Sequence, residues 1–418
     1  MKNEDAGLRR LPELWRCWIV EWGATMLLSK IGFGVAVGAA LVLGAGPALA
    51  GGAWTIVPAP PTGQDASLSG VTTTSDTDAW AVGYCCARPN FLGAIPIIDH
   101  WNGTAWSQAS VPSTGYSTNS LTAVSASSAT DAWAVGRSEP QRYTWYPLAM
   151  HWNGTAWSVS PSFVSALSGQ LGVGVSDISP TDAYAVGGGL GSAHTGLVAQ
   201  WNGTTWTRVT VPLPKNNNLG SNLDAISADG PNDVWIVGNY LFEVNPSDYA
   251  NETYSLHWNG SDWSIVPMPL EPGTNPNFEY AFSSIEANSP TDVWAVGESY
   301  NAATYTSSTL IEHWNGTKWS IVPSPSPGSN AALTGVTTSN ASNNVWAVGD
   351  YTPAGSSTSQ TLTLNWNGST WNTVASPNGS TGSSVLASVA TTPGAAIVQA
   401  VGYTGVYQAL NPLVLRNG

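Results

Sequence analysis

The hexapeptide DAWAVG at residues 78–83 decides the fold, because the chain repeats it along most of its length. Six further copies follow, and the final glycines of consecutive copies are 51 to 59 residues apart. They are DAWAVG at 131–136, DAYAVG at 182–187, DVWIVG at 233–238, DVWAVG at 292–297, NVWAVG at 344–349 and the degenerate IVQAVG at 397–402. Repeats of this length indicate one supersecondary unit that is copied and stacked.

A second motif, W-N-G-x-x-W, falls between consecutive copies of the first. It begins at Trp101, Trp152, Trp201, Trp258, Trp314 and Trp366. Asn-Gly is a strong hairpin signal, because both central residues of a type I′ turn need a positive φ. Each repeat therefore predicts four strands in the order a to d: L-x-x-V, x-W-A-V-G, I-E-H-W and x-W-S-I-V-P. Their alternating apolar and polar positions fit strands with one face toward a neighbouring sheet.

These features predict an all-β, seven-bladed β-propeller with four-stranded antiparallel blades. The last repeat stops at residues 415–418, LRNG, where the other copies read HWNG or a close variant and continue into strand d. A matching strand d lies at residues 51–58, because GGAWTIVP resembles the GTKWSIVP that begins at Gly316. We therefore expect residues 51–58 to close the ring as the outer strand of the seventh blade. Closure removes two exposed sheet edges.

The first fifty residues differ in composition from the rest. The apolar run at 31–50 ends in A-L-A, which is typical of a signal peptide cleaved before Gly51. Translation from Met26 would give a leader of 25 residues, in which case residues 1–25 are an over-extended start. An uncleaved membrane anchor is the competing interpretation, because twenty apolar residues can just span a bilayer. Residues 51–418 form one predicted domain, with blades at 66–112, 113–161, 162–213, 219–269, 278–325, 330–377 and 384–418.

The net charge and the repeated polar residues limit which classes of partner and ligand are expected. Beyond residue 50 the chain has seven basic and 22 acidic residues, so its surface repels phosphate backbones and nucleic acid is excluded as a partner. The Asp that opens strand b recurs in five blades, which favours a turn-capping role. Four histidines occupy one strand position in four different blades, so they do not predict a metal site. We expect no cofactor, no membrane contact after cleavage, and a secreted monomer.

Loop lengths indicate where ligands bind. The c–d spacing from Trp to Trp is five residues in every complete copy, whereas the b–c spacing ranges from 14 to 20 and the d–a spacing from 17 to 22. In a meander these two variable connections lie on one face, here called the variable face, and loops on a rigid scaffold usually carry function. Its aromatic residues are the predicted ligand-binding residues: Tyr84, Tyr143, Trp145, Tyr146, Tyr240, Tyr249, Tyr280, Tyr300 and Tyr351. Such residues stack on sugars and also suit protein recognition.

Carboxylates on the same face are candidate catalytic residues, because glycan cleavage needs two of them roughly 5–9.5 Å apart. Glu298 and Asp350 hold the same position in adjacent blades, and Glu243 and Glu279 lie in nearby loops. No sequence pattern of a known catalytic motif accompanies them. Cys85 and Cys86 adjoin on this face as well; they are predicted to be a free pair, cross-links to another chain, or a disulfide between neighbours.

The W-N-G-x-x-W and D-x-W-x-V-G motifs resemble those of secreted bacterial propeller-repeat proteins and, more distantly, kelch and sialidase-type (Asp-box) propellers. The resemblance covers residues 51–418 and implies the fold. It transfers no catalytic residue, because the Ser-x-Asp lead of the Asp-box is absent. The first expectation is a non-enzymatic module that binds a glycan or a protein. The alternatives are a carbohydrate-active lyase or hydrolase and a structural envelope protein.

Overall fold

The computed structural model describes residues 53–63, 65–86, 93–141, 144–167, 170–189, 195–215, 220–245, 248–269, 278–339, 344–392 and 397–418. Within them the chain forms seven four-stranded antiparallel sheets and one helix of five residues. The predicted seven-bladed β-propeller is therefore confirmed. The predicted leader, residues 1–50, lies outside the described residues. In the described part, no helix has the length and apolar character needed to span a membrane.

Blades 1 to 6 each contain four consecutive strands, labelled a to d in chain order. Blades 1 to 3 contain β2 (Ser67–Ser75), β3 (Asp78–Cys85), β4 (Ile95–Trp101) and β5 (Trp106–Gln108); β6 (Thr118–Ser128), β7 (Asp131–Gln141), β8 (Thr144–Trp152) and β9 (Trp157–Val159); β10 (Gln170–Ser179), β11 (Asp182–Gly189), β12 (Leu197–Trp201) and β13 (Trp206–Val209). Helix α1 (Ser162–Ala166) lies between blades 2 and 3.

The later blades follow the same order. Blades 4 to 6 contain β14 (Ser221–Gly230), β15 (Asp233–Asn245), β16 (Asp248–Trp258) and β17 (Trp263–Val266); β18 (Phe278–Ser289), β19 (Asp292–Asn301), β20 (Thr306–Trp314) and β21 (Trp319–Ile321); β22 (Asn330–Thr338), β23 (Val345–Thr352), β24 (Gln360–Trp366) and β25 (Trp371–Val374). Blade 7 contains β26 (Ser383–Thr391), β27 (Val398–Val406), β28 (Ala409–Asn417) and β1 (Thr55–Ile56).

The a strands form the inner ring, where each contacts the a strands of both neighbouring blades. Every a strand has a register shift at its L-x-x-V motif, such as that between Leu121 and Ala123. A bulge of this kind bends the strand and leaves an extra residue unpaired. Amides beyond it bind hydroxyl oxygens of the adjacent blade. Examples are Ala287 N to Ser227 Oγ at 3.0 Å, Ala228 N to Ser176 Oγ at 3.1 Å and Thr391 N to Thr337 Oγ1 at 3.2 Å.

The hydrophobic core is divided into layers between blades, one at each of the seven interfaces. In five interfaces a buried strand-b tryptophan meets the strand-d tryptophan of the next blade edge to face, a favoured aromatic geometry. The pairs, with centroid separations of 4.9 to 5.6 Å, are Trp80 with Trp157, Trp133 with Trp206, Trp235 with Trp319, Trp294 with Trp371 and Trp346 with Trp54.

Strand β1 closes the ring in the same register as the other outer strands. Thr55 pairs with Arg416 and Ile56 with Leu415, and Val57 N donates a 2.9 Å hydrogen bond to Val414 O. Trp54, which is 5% exposed, occupies the place that the strand-d tryptophans hold elsewhere. Closure by the N-terminal strand, expected from the sequence, is therefore confirmed by both the backbone pairing and the tryptophan packing.

Candidate functional site

The meander places the turns of every blade on two opposite faces. The a–b and c–d turns lie on one, called here the repeat face, and the b–c and d–a connections lie on the variable face. Among the described residues, nine large apolar or aromatic side chains are exposed. Eight lie in or beside a b–c or d–a connection: Ile95, Tyr116, Tyr146, Val164, Leu213, Tyr305, Val406 and Tyr407. Exposed apolar surface is thus concentrated on the variable face.

The repeat face is built by one network copied in four blades. The strand-c histidine places Nε2 at 2.6 to 2.7 Å from Oδ1 of the strand-b aspartate, and its ring packs on the strand-b tryptophan at 4.0 to 4.4 Å between centroids. The pairs are His100 with Asp78, His151 with Asp131, His257 with Asp233 and His313 with Asp292. The other carboxylate oxygen of three of these aspartates accepts a hydrogen bond from a side chain four residues earlier, across the a–b turn: Asp78 from Thr74, Asp131 from Ser127 and Asp292 from Asn288. The aspartates therefore combine the turn role predicted from the sequence with a bond between strands b and c.

These pairs stabilise ionised carboxylates. Desolvation opposes ionisation, but the histidine hydrogen bond and a second side-chain donor outweigh it, so the pKa values of Asp78, Asp131 and Asp292 lie below the usual range. Asp292 also accepts hydrogen bonds from Trp294 Nε1 at 3.0 Å and Asn288 Nδ2 at 2.9 Å. The network joins two strands of one blade and is repeated around the ring, which indicates a structural role.

The variable face has no such repetition. The position directly after the strand-b glycine lies toward the variable-face end of strand b in every blade, and we call its seven residues the mouth ring. The glycine is required because a Cβ there would collide with the backbone of strand a, as Gly297 shows against Ala281 O. The mouth ring consists of Tyr84, Arg137, Gly188, Asn239, Glu298, Asp350 and Tyr403. Each blade thus contributes a different side chain to the same kind of position, apart from the tyrosines of blades 1 and 7.

Three predicted carboxylates interact electrostatically in one sector of the variable face: Glu298 and Asp350 of the mouth ring and Glu279 of strand a in blade 5. Desolvation, together with the weaker effect of the charges of Asp350 and Glu279, raises the pKa of Glu298 to about 7, although a hydrogen bond from Ser307 lowers it. Desolvation also raises the pKa of Asp350 to about 6, although Ser359 donates a hydrogen bond to it. Desolvation raises the pKa of Glu279 as well. We call Glu298, Asp350 and Glu279 the carboxylate cluster; it spans blades 5 and 6.

Tyrosines surround the carboxylate cluster. Desolvation raises the pKa of Tyr300, and the charge of Glu279, the nearby Tyr305 and the charge of Glu298 add to the shift. The pKa of Tyr403 is raised by desolvation and then by the charge of Asp350. Tyr305 is 75% exposed in the b–c connection of blade 5. Hydroxyls, exposed aromatic surface and carboxylates therefore occupy one sector of the mouth, over blades 5 to 7.

The structure places Tyr351 next to this sector, where its hydroxyl donates a 2.9 Å hydrogen bond to Gln360 Oε1. Tyr280 is half-buried against the core between blades 4 and 5. Other predicted aromatic residues lie elsewhere on the face. Tyr240 bonds Glu252 Oε2 in blade 4, Trp145 packs 4.3 Å from the Arg137 guanidinium in blade 2, and the neighbouring Tyr146 is exposed.

Three predicted residues cannot be compared with the structure. Tyr143 lies outside the described residues, and the side chains of Glu243 and Tyr249 belong to a part of blade 4 that is described only as backbone. Tyr403, Ser307 and Ser359 were not predicted. Tyr403 was predictable as a site residue, because it directly follows the glycine of the degenerate seventh motif. Glu298 and Asp350 hold the same position in their blades.

Cys85 and Cys86 are joined in a disulfide at the edge of the mouth, next to the buried Tyr84. Cys86 has a positive φ of 64°. The pair packs on Gly63, where an added Cβ would collide with Cys86 Sγ. The disulfide therefore lies against the segment that joins the closing strand to blade 1.

No family model matches the chain, and no curated protein matches it in sequence. Solved structures are similar in fold. A YCF48 structure bound to a D1 peptide aligns with a TM-score of 0.53 at 14% identity, covering 88% of this chain and 96% of that one. YCF48 from Cyanidioschyzon merolae aligns with a TM-score of 0.52 at 16% identity, covering 87% and 98%. A polysaccharide lyase of family PL25, an ulvan lyase, aligns with a TM-score of 0.53 at 9% identity, covering 84% and 94%. These similarities extend over most of the chain and show the same propeller fold.

Proposed function

We propose that the protein is a secreted binding module without catalytic activity that recognises an extracellular glycan through the variable face. The single observation that carries the proposal is that exposed aromatic side chains lie on that face and that one of them, Tyr305, adjoins Tyr300 and the carboxylate cluster. Tyrosine rings pack on the apolar faces of sugars, and the polar groups bind their hydroxyls. The asymmetric mouth ring favours one ligand orientation, since most of its positions differ in side chain.

The fold itself is compatible with more than one ligand class. One structure of the same architecture is described as bound to a D1 peptide, and another as a polysaccharide lyase. The choice of a glycan therefore depends on the side chains of this chain, in particular on Tyr300 and Tyr305 next to the carboxylate cluster.

A glycan array with protein comprising residues 51–418 tests the proposal. Tyr305→Ala should weaken the hits by about tenfold, because removal of one stacking platform costs on the order of 1 kcal/mol. Tyr116→Ala is the matched control, since Tyr116 is 45% exposed on the same face but in blade 2. Binding that survives Tyr305→Ala would place the site elsewhere, and silence on the array would refute glycan recognition.

A carbohydrate-active enzyme is the second candidate, and one observation favours it. Glu298 and Asp350 interact electrostatically, and desolvation raises the pKa of both carboxyl groups, to about 7 and about 6. Acid–base catalysis needs carboxyl groups whose pKa values lie near the operating pH. To distinguish a binding module from an enzyme, any glycan that binds on the array is incubated with the protein. Newly formed reducing ends or unsaturated products are then measured. Binding without turnover would refute the enzyme.

A further inference from the structure

Glu298 is an unusual member of the carboxylate cluster. Its side chain is largely buried, with the residue 8% exposed, and its Oε2 has no hydrogen-bond partner among the described residues. Asp350 and Glu279 both act on it with like charge. A buried carboxylate oxygen without a donor, beside two further carboxylates, is costly unless a donor or a positive charge is supplied.

The chemistry of the cluster indicates what kind of cation would fit. Among the described residues, no group of three His, Cys, Asp or Glu side chains is close enough to hold a metal ion. A metal ion is a point charge that requires its ligands within about 2–2.6 Å. An ammonium group has three N–H donors and can form charge-assisted hydrogen bonds with separate carboxylates at about 2.7–2.9 Å from its nitrogen.

The surroundings add a surface for the rest of such a ligand. Tyr305 is exposed, and the half-buried Tyr300, which pairs with Glu279 across β18 and β19, interacts electrostatically with Tyr305 and Glu298. An aromatic ring near a carboxylate suits a sugar that stacks on the ring and directs a substituent toward the acid. The net charge of −14 for the whole chain also favours a cationic ligand over an anionic one.

We propose that the variable face selects glycans that carry free amino groups, and that Glu298 and Asp350 bind the ammonium group while Tyr305 packs on the sugar ring. This inference rests on the proposed function and specifies its ligand class. Ser307 and Ser359 act as positioning residues, since their hydroxyls hold Glu298 and Asp350.

Calorimetric titration with two oligosaccharides of equal length tests the inference. One is β-1,4-linked glucosamine, and the other is β-1,4-linked N-acetylglucosamine, which has the same backbone but no positive charge. We expect the glucosamine oligomer to bind at least about tenfold more tightly, because a hydrogen bond to a charged group contributes about 1.5–3 kcal/mol. Equal affinities would overturn the amino-group selectivity and leave glycan binding in place. If neither oligosaccharide binds and the glycan array shows no hits, the proposed function itself is overturned.

Two variants locate the charge that is recognised. Glu298→Gln and Asp350→Asn should each weaken the glucosamine oligomer by about tenfold and leave the N-acetylated oligomer unchanged. Asp262→Asn removes the same charge from an exposed turn on the repeat face and should have no effect. Asp350 is partly buried, whereas Glu298 is buried, so Asp350→Asn remains informative if Glu298→Gln alters folding. Equal losses in all three variants would show attraction by net charge alone and overturn the assigned site. Charge-dependent binding of a lysine-rich peptide in place of either oligomer would overturn the glycan class.

Discussion

The repeat face and the variable face are formed by the two ends of the same strands, yet their polar groups are arranged in opposite ways. On the repeat face each aspartate of the network has a histidine partner, and the pKa values of Asp78, Asp131 and Asp292 are lowered. On the variable face Glu298 and Asp350 face further acids, and their pKa values are raised. The difference shows that a histidine partner stabilises the ionised form of the network aspartates, whereas desolvation disfavours the ionised form of Glu298 and Asp350.

The largest expected effect concerns the closure on which both faces depend. Trp54→Ala should lower the free energy of unfolding by about 3–5 kcal/mol, because it removes a buried tryptophan from the last interface between blades. Thr55→Ala, in the same strand but exposed, is the matched control. Denaturant unfolding measures both. Equal stability of the two variants would mean that the closing strand contributes little.

The second effect tests the repeat face. Asp292→Ala should lower the free energy of unfolding by about 2–4 kcal/mol, because it leaves Trp294 Nε1, Asn288 Nδ2 and the His313 ring without their acceptor. Asp350→Ala on the variable face should cost far less. Because the pKa of Asp292 is lowered in the folded protein, its ionised carboxylate contributes to stability above pH of about 4. This contribution is lost as the pH falls through the lowered pKa. The difference in the free energy of unfolding between the Asp292→Ala variant and the natural protein should therefore become smaller at acidic pH.

The third effect has the opposite pH dependence. The pKa of Glu298 is raised from 4.5 to about 7, so the folded protein retains a proton that the unfolded chain has already lost. The stability associated with this proton is lost as the pH rises from about 4.5 to about 7. Glu298→Gln should therefore stabilise the protein by roughly 1–3 kcal/mol at pH of about 8 and by nothing at pH of about 4. Urea unfolding at the two pH values measures the stabilisation by Glu298→Gln. An equal stabilisation at both pH values would contradict the raised pKa of Glu298.

The smallest effect compares single loop residues on the two faces. Asn202 Oδ1 accepts hydrogen bonds from the amides of Thr204 and Thr205, both at 3.0 Å, in the c–d turn of blade 3. Asn202→Ala should lower stability by about 1 kcal/mol. Tyr305→Ala on the variable face should leave the melting temperature unchanged, since that side chain is 75% exposed. A loss of stability in the Tyr305 variant would indicate a structural role for that residue.

The main elements of the fold were predictable because their causes are local. Alternation, Asn-Gly turns and the VG glycine recur in the same order along the chain, so each blade could be divided into strands before any contact was known. Closure was predictable for the same reason, because Trp54 has the sequence neighbours of a strand d. The partner of each strand-b aspartate was not predicted, since the histidine lies some twenty residues away and is brought near by the pairing of strands b and c.

The candidate site was only partly predictable. The sequence related Glu298 to Asp350 because each directly follows the strand-b glycine of its blade, and Tyr403 holds the same position in blade 7. Grouping them into one sector required the ring, because residues of adjacent blades are about fifty positions apart in the chain. The same geometry separated residues that looked alike in sequence: Tyr300 lies beside the carboxylate cluster, whereas Tyr240 pairs with Glu252 in blade 4.

By itself, the sequence determined the number of blades, the strands of each and the strand that closes the ring, because these depend on short-range periodicity. Only the tertiary structure decided which acids meet, which are paired and which are buried. Those properties depend on distances between blades and on the loss of water around each carboxylate, and neither is encoded in the spacing of a single repeat.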